Sequence, residues 1–371
     1  MPRVTLVTRS DEPGEDRGSV MDQDEAREIK SQLADYVHEL LAAHIEASRV
    51  EGDDTEIPAR IGGREGGIAL GLAPRLDGGY GVALRYRLGV PTTRRVVRRV
   101  AEQVGPTIDV RRTGRIRPLV APAAGTNPTP RPPVVTAHAL GETGRVRPLR
   151  PGISIAHADV SAGTLGAFVE VDGALHALSN YHVLVGGPAG AVGDAVLQPG
   201  RADGGRDPQD RVGALARFVP LDQGRVATVD AAVARLDEQQ VDLDYPVGRI
   251  TTTAPALGAE EVAKVGRTTG VTQGRVTAIE LDDVVVGYGD GLGDIRFDDQ
   301  IEVEGAAGAP FSRGGDSGSL VYRDDGVAIG LLFAGSETGG QNGSGLTYLN
   351  PIDAVLASLG AQLAGARRDA G

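Results

Sequence analysis

Gly314-Gly315-Asp316-Ser317-Gly318-Ser319 places one hydroxyl between glycines and beside a carboxylate. A serine so flanked sits on a tight turn, because glycine adopts backbone angles that other residues disfavour. The turn leaves room for a carbonyl group to approach the backbone. The N–H groups of Gly315 and Ser317 can then converge on that carbonyl as an oxyanion hole. Taken alone, an ordinary Gly/Asp/Ser turn is the plainer reading of such a string.

A serine nucleophile needs a base, and the chain offers His38, His44, His138, His157, His176 and His182, all of them before Ser317. An α/β-hydrolase requires its histidine after the serine and a G-x-S-x-G elbow, where this chain has Ser319 in place of the second glycine. That class fails on both order and motif. A histidine first and a serine last is the order of the chymotrypsin-like triad. His182 stands at the end of an apolar run, Leu178-Ser179-Asn180-Tyr181-His182-Val183-Leu184. A lone histidine there is more often structural than catalytic. The third member must lie between the two. Asp230 does so, within Thr228-Val229-Asp230-Ala231-Ala232-Val233-Ala234. A carboxylate among small apolar residues is costly unless a donor such as an imidazole N–H pairs with it.

The surrounding chain reads as β structure. From about Pro151, apolar runs of four to eight residues alternate with Gly/Asp turns, as in 165–171, 231–236, 274–279 and 328–333. Many short strands at such spacing indicate barrels or sandwiches. A closing amphipathic helix is expected over 351–363. The 54 glycines and 22 prolines, about a fifth of the 371 residues, suit a turn-rich β protein.

Upstream the pattern differs. Residues 1–20 read as a disordered leader. Residues 21–119 read as a small α+β accessory domain. It holds a helix over 21–48, strands over 67–73 and 79–88, a helix over 93–104 and a strand over 107–119. Residues 120–150 form a Pro-rich linker, and 364–371 a tail. A near-repeat, TGRIRPL at 113–119 and TGRVRPL at 143–149, reads as coincidence in an Arg-rich chain.

From 151 to about 363 the chain resembles the trypsin/chymotrypsin-like serine peptidases. Within them it is most similar to the cysteine-free intracellular branch, including Deg/HtrA-type cores and the plant narrow-leaf protein with its bacterial relatives. The resemblance rests on six ordered blocks: Gly163–Ala167, Leu178–Leu184, Val229–Ala234, Val265–Gly270, Gly315–Ser319 and Gly345–Tyr348. It implies a mainly β, chymotrypsin-like double barrel, with His182 and Asp230 from one barrel and Ser317 from the other. His182 would be the base, Asp230 its orienting partner and Ser317 the nucleophile. Gly315 and Ser317 would supply the oxyanion hole. Phe311, Ser312, Phe333, Ala334 and Gly335 would line the substrate pocket. Phe311 stands where basic-specific relatives carry an aspartate, so a small or medium apolar P1 residue is expected rather than Arg or Lys. Arg150-Pro151 is a poor tryptic site, so no activating cut is expected there, and Asp316 is expected to pair with an arginine such as Arg313. Oligomers are suggested by the resemblance alone. A catalytically silent, peptide-binding scaffold is the alternative to an active enzyme.

Composition narrows the partners. No cysteine exists, which excludes disulfides and thiolate zinc sites and favours a reducing, cytoplasmic compartment. No apolar run is long enough to span a membrane. The net charge of −12 argues against nucleic acid. Neither Lys30 nor Lys264 sits in a phosphate-binding loop, and no cofactor is indicated. Protein or peptide substrates remain. Arg94, Arg95, Arg98 and Arg99 cluster on the second helix. A solvated face is the plainer reading, and a regulatory partner or small anion the functional one.

Overall fold

A computed structural model describes residues 21–51, 60–61, 64–65, 67–76, 78–87, 91–120, 140–289 and 291–366. The leader, residues 121–139 of the linker and residues 367–371 lie outside the described residues.

The fold is mainly β, with a chymotrypsin-like pair of barrels. In the first, the strands run in space as Gln362–Leu363, Ala167–Val171, Ala174–Ser179, Ala232–Leu236, Arg211–Phe218, Ala195–Leu197, Ser154–His157 and Gly163–Thr164. They curl into a half-barrel. Its interior is aliphatic: Ile155, Ala177, Leu215 and Ala234 are all buried.

The second barrel closes on itself. Its order is Glu261–Gly266, Leu320–Tyr322, Val327–Gly335, Thr347–Pro351, Gln300–Gly305 and Gly270–Asp282, and the last strand pairs back to the first. Glu261–Gly266 shows the reason in miniature. Val262, Lys264 and Gly266 are buried and alternate with more accessible residues, the two-residue period of a strand with one face inward.

The upstream elements extend that second sheet. Ile68–Pro74, Tyr80–Arg87 and Ile108–Thr113 add three strands, joined at Ile279↔Leu72 and Asp282↔Leu70. Helix α1 (Gln23–Glu51) and helix α2 (Pro91–Val104) pack on these strands. The Asp22 carboxylate accepts the Glu25 N–H at 2.9 Å and caps α1. Leu33, Val37 and Leu41 of α1 and Val96 and Val100 of α2 share one hydrophobic cluster with Val276, Val303 and Leu349 of the closed barrel. Each such side chain contributes roughly 1.5–3 kcal/mol when fully buried, so packing holds this layer against the barrel.

Three further elements position the site. Helix α3 (Tyr181–Leu184) is a single turn after Ala174–Ser179. Helix α4 (Ile352–Leu359) ends at Gly360, whose φ of +58° lets its N–H close on the Ala357 carbonyl. Arg117–Pro118 forms a short strand on the edge of Val327–Gly335, antiparallel, with Pro118↔Ala334 and Arg117↔Gly335 in register.

Candidate active site

His182 and Asp230 meet because their strands pair. Ser179 lies opposite Ala232 in the half-barrel, so the turn after one and the residues before the other share an end of the sheet. Asp230 is completely buried. The Asn180 side-chain amide donates to its carbonyl at 2.8 Å, and its own N–H donates to Asn350 Oδ1 at 2.9 Å. The carboxylate takes three donors. Oδ1 accepts the His182 backbone N–H at 3.2 Å, and Oδ2 accepts His182 Nδ1–H at 2.5 Å and the Tyr288 hydroxyl at 2.6 Å. These bonds offset the cost of burying the charge. Burial first, and then the Asp230 charge, push the Tyr288 phenol well above its ordinary pKa, so it stays a donor. Because a carboxylate only accepts, the proton of a neutral His182 sits on Nδ1 and the Nε2 lone pair is free. Nε2 is buried and has no hydrogen-bond partner among the described residues.

Ser317 lies on the opposite barrel, in the turn before Leu320–Tyr322. The turn is held from several sides: Thr164 N–H donates to the Ser317 carbonyl at 2.8 Å and Gly318 N–H to the Leu332 carbonyl at 2.8 Å. Asp316 anchors it from below. Its carboxylate accepts the N–H groups of Thr268 at 2.9 Å, Thr269 at 3.1 Å and Arg313 at 2.9 Å, and the Thr269 hydroxyl at 2.7 Å. The expected ionic partner, the Arg313 side chain, is not the one used. Arg313 supplies its backbone N–H, and the cation is Lys264, whose Nζ is 3.4 Å from Asp316 with both side chains fully buried. Lys264 points inward because the two-residue alternation of its strand puts it on the inner face. Burial lowers the Lys264 pKa, and the Asp316 charge opposes that shift.

Gly315 has φ +101°, and a Cβ there would lie 2.3 Å from Thr268 Oγ1. Only glycine fits, and the resulting turn aims its N–H outward. Gly315 and Ser317 both direct their N–H groups at one oxygen, the carbonyl of Leu119, the Ser317 contact being the longer at 3.4 Å. If these two amides form an oxyanion hole, Gly315→Ala is expected to lower kcat on the order of 100-fold, as the loss of one such donor does. Steady-state hydrolysis of a peptide anilide reads this directly, and an unchanged kcat would contradict the assignment.

The serine hydroxyl is not on the histidine. Ser317 Oγ accepts the Leu119 N–H at 3.0 Å and donates to the Phe333 carbonyl at 3.0 Å. Of the expected pocket residues, Phe333, Ala334 and Gly335 form the edge that receives residues 117–119. Ser312 shares a 2.7 Å hydrogen bond with Thr347. Phe311 is buried in the cluster of the closed barrel, in contact range of Gly274. Arg94, Arg95, Arg98 and Arg99 are exposed on α2, which packs on α1 and on the strands at 80–87 and 108–113. They stand on the accessory layer, away from His182, Asp230 and Ser317. Sequence reasoning missed Tyr288, Asn350, Lys264 and Leu119. Tyr288 carried the only faint signal, as one of few aromatics in a glycine-rich turn.

No family model matches the chain, and no curated protein does so. Among solved structures it is similar to Thermobifida fusca protease A, at 19% identity over 58% of this chain and 97% of that one, with a TM-score of 0.41. It is similar to a glutamic-acid-specific serine protease that uses a histidine triad in substrate binding, at 23% identity over 58% and 100%, with a TM-score of 0.42. The HtrA-type protease AlgW matches at 20% identity over 55% and 57%, with a TM-score of 0.32. These likenesses are of fold. The fold itself is a closed six-strand barrel beside a half-barrel. No helix among the described residues is long and apolar enough to cross a membrane.

Proposed function

We propose that the chain is a serine endopeptidase acting through Ser317, His182 and Asp230, with its N-terminal layer regulating access to the cleft. His182 Nε2 removes the Ser317 proton as Oγ attacks a peptide carbonyl. The developing oxyanion is held by the Gly315 and Ser317 amides. The imidazolium, stabilised by Asp230, then protonates the leaving amine. Water, deprotonated by His182, hydrolyses the acyl-enzyme. The observation that carries this reading is the convergence of two backbone amides on a single carbonyl oxygen beside Ser317. The buried His182–Asp230 bond with an unpartnered Nε2 supports it further.

A silent, peptide-binding scaffold is the second reading. It is favoured by one observation, the engagement of Ser317 Oγ with Leu119 and Phe333 instead of His182. A fluorophosphonate probe separates the two. Active protein is expected to be labelled at Ser317, and Ser317→Ala not at all. If neither the wild type nor a Leu119→Asp variant with an emptied cleft takes the label, the scaffold reading stands and the enzyme reading falls.

A further inference from the structure

The cleft holds a piece of the same chain. The Ile116 carbonyl accepts the Gly287 N–H at 3.0 Å, and Gly114 N–H donates to the Thr338 carbonyl at 2.9 Å. Arg117 and Pro118 pair antiparallel with Gly335 and Ala334. Leu119 N–H faces the Phe333 carbonyl at 3.4 Å, and its own carbonyl accepts both oxyanion amides. The Leu119 side chain reaches the floor at Gly335, where an added Cβ would lie 3.0 Å from Leu119 Cδ1. The chain continues past the serine, since the Val120 carbonyl would meet a Cβ on Gly314 at 2.9 Å. Extended backbone paired to a sheet edge, one apolar side chain against a glycine and one carbonyl between two amides is how a peptidase holds a substrate.

We propose that Ile116–Val120 is bound as a substrate in cis, and that the Leu119–Val120 peptide bond is one this protein hydrolyses in itself. The proposal rests on the peptidase reading and deepens it by naming a substrate and a P1 residue, leucine. Ser317 Oγ first turns from the Phe333 carbonyl to His182. It then bonds to the Leu119 carbonyl carbon, the bond to the Val120 nitrogen breaks, and that amine leaves with the proton carried by His182. Water then releases a Leu119 carboxylate from the ester. The products are residues 1–119 and 120–371. They stay together, because Leu72 remains paired with Ile279 and Arg85 remains bonded to Glu302. Asp316 needs no new amine, since its carboxylate is already filled by Lys264 and the Thr268–Thr269 backbone. Cleavage therefore acts through the cleft. A tethered occupant has an effective concentration in the millimolar range, so substrates at micromolar concentration enter only when the segment leaves.

Purified full-length protein is incubated and followed by intact mass spectrometry, beside hydrolysis of acetyl-Ile-Arg-Pro-Leu-p-nitroanilide and fluorophosphonate labelling. Fragments ending at Leu119 and beginning at Val120 are expected, with a first-order rate constant independent of protein concentration. They co-elute natively and separate in denaturant. Ser317→Ala abolishes them. Leu119→Asp slows the cut on the order of 100-fold, because a carboxylate enters an apolar pocket, while anilide hydrolysis rises about tenfold as the cis occupant is weakened. Leu119→Met restores the cut. Protein that takes the label and hydrolyses the anilide, yet leaves 119–120 intact, overturns the proposal and spares the peptidase reading. So does a cut whose rate constant scales with protein concentration. Failure of labelling, anilide hydrolysis and self-cleavage together, in Leu119→Asp as well, overturns both.

Discussion

Asp230→Asn is expected to lower kcat about 10⁴-fold while leaving the fold intact. Oδ1 accepts the His182 backbone N–H, so the oxygen of the new amide stays there and its NH2 takes the place of Oδ2. That NH2 then faces His182 Nδ1 and the Tyr288 hydroxyl, both of which had donated to Oδ2. Nδ1 must become an acceptor, the ring proton moves to Nε2, and the lone pair proposed to take the serine proton is gone. Steady-state hydrolysis of the leucine anilide measures the loss, with circular dichroism as the control on folding. A kcat within tenfold of wild type would remove Asp230 from the triad.

Arg85→Met is expected to destabilise the protein by about 3–5 kcal/mol, the usual result of leaving a buried charge unpaired. Arg85 is 2% exposed and Glu302 0%, and the Nε–H of the one bonds both oxygens of the other at 2.8 and 2.9 Å. Arg85 also reaches Asp109 at 2.9 Å. Burial alone would lower the basicity of Arg85. The Glu302 charge, its hydrogen bond and the Asp109 charge together outweigh it, so the guanidinium is held more firmly protonated than usual. The pair joins the Tyr80–Arg87 strand to the closed barrel. Methionine fills much of the volume but leaves Glu302 with the Thr277 hydroxyl, at 2.7 Å, as a remaining donor. Equilibrium denaturation in urea reads the loss, and Arg85→Met with Glu302→Leu should recover most of it, because neither charge is then stranded. A single variant within 1 kcal/mol of wild type would show that the pair does not hold the layers together.

Much of this architecture is legible in the chain because local rules are obeyed. The apolar stripe of Ile29, Leu33, Val37 and Leu41 marks α1, observed over Gln23–Glu51, since four buried side chains at helical spacing have one solution. The strand expected over 107–119 is instead two. Ile108–Thr113 pairs with the accessory sheet, the chain then crosses at Gly114, and Arg117–Pro118 pairs with the barrel edge. A two-residue period says that a segment is extended and is silent on which sheet receives it. The closing helix expected to 363 stops at Leu359, because Gly360 adopts the left-handed cap and Gln362–Leu363 then joins the half-barrel. The glycine was visible, but the strand beyond it depends on an edge supplied by Ala167–Val171, far away in sequence.

The order of His182, Asp230 and Ser317, the glycines around the serine and the absence of cysteine are properties of the sequence by itself. They restrict the chemistry because side-chain types and their order are conserved through any folding. The tertiary structure alone decided the state of the cleft. Leu119 is held there through its N–H and C=O, groups that every residue except proline carries alike, so no sequence pattern could mark it. Lys264 was decided in the same way. A lysine on a strand reads as a solvated charge until the closing of the barrel places Asp316 beside it.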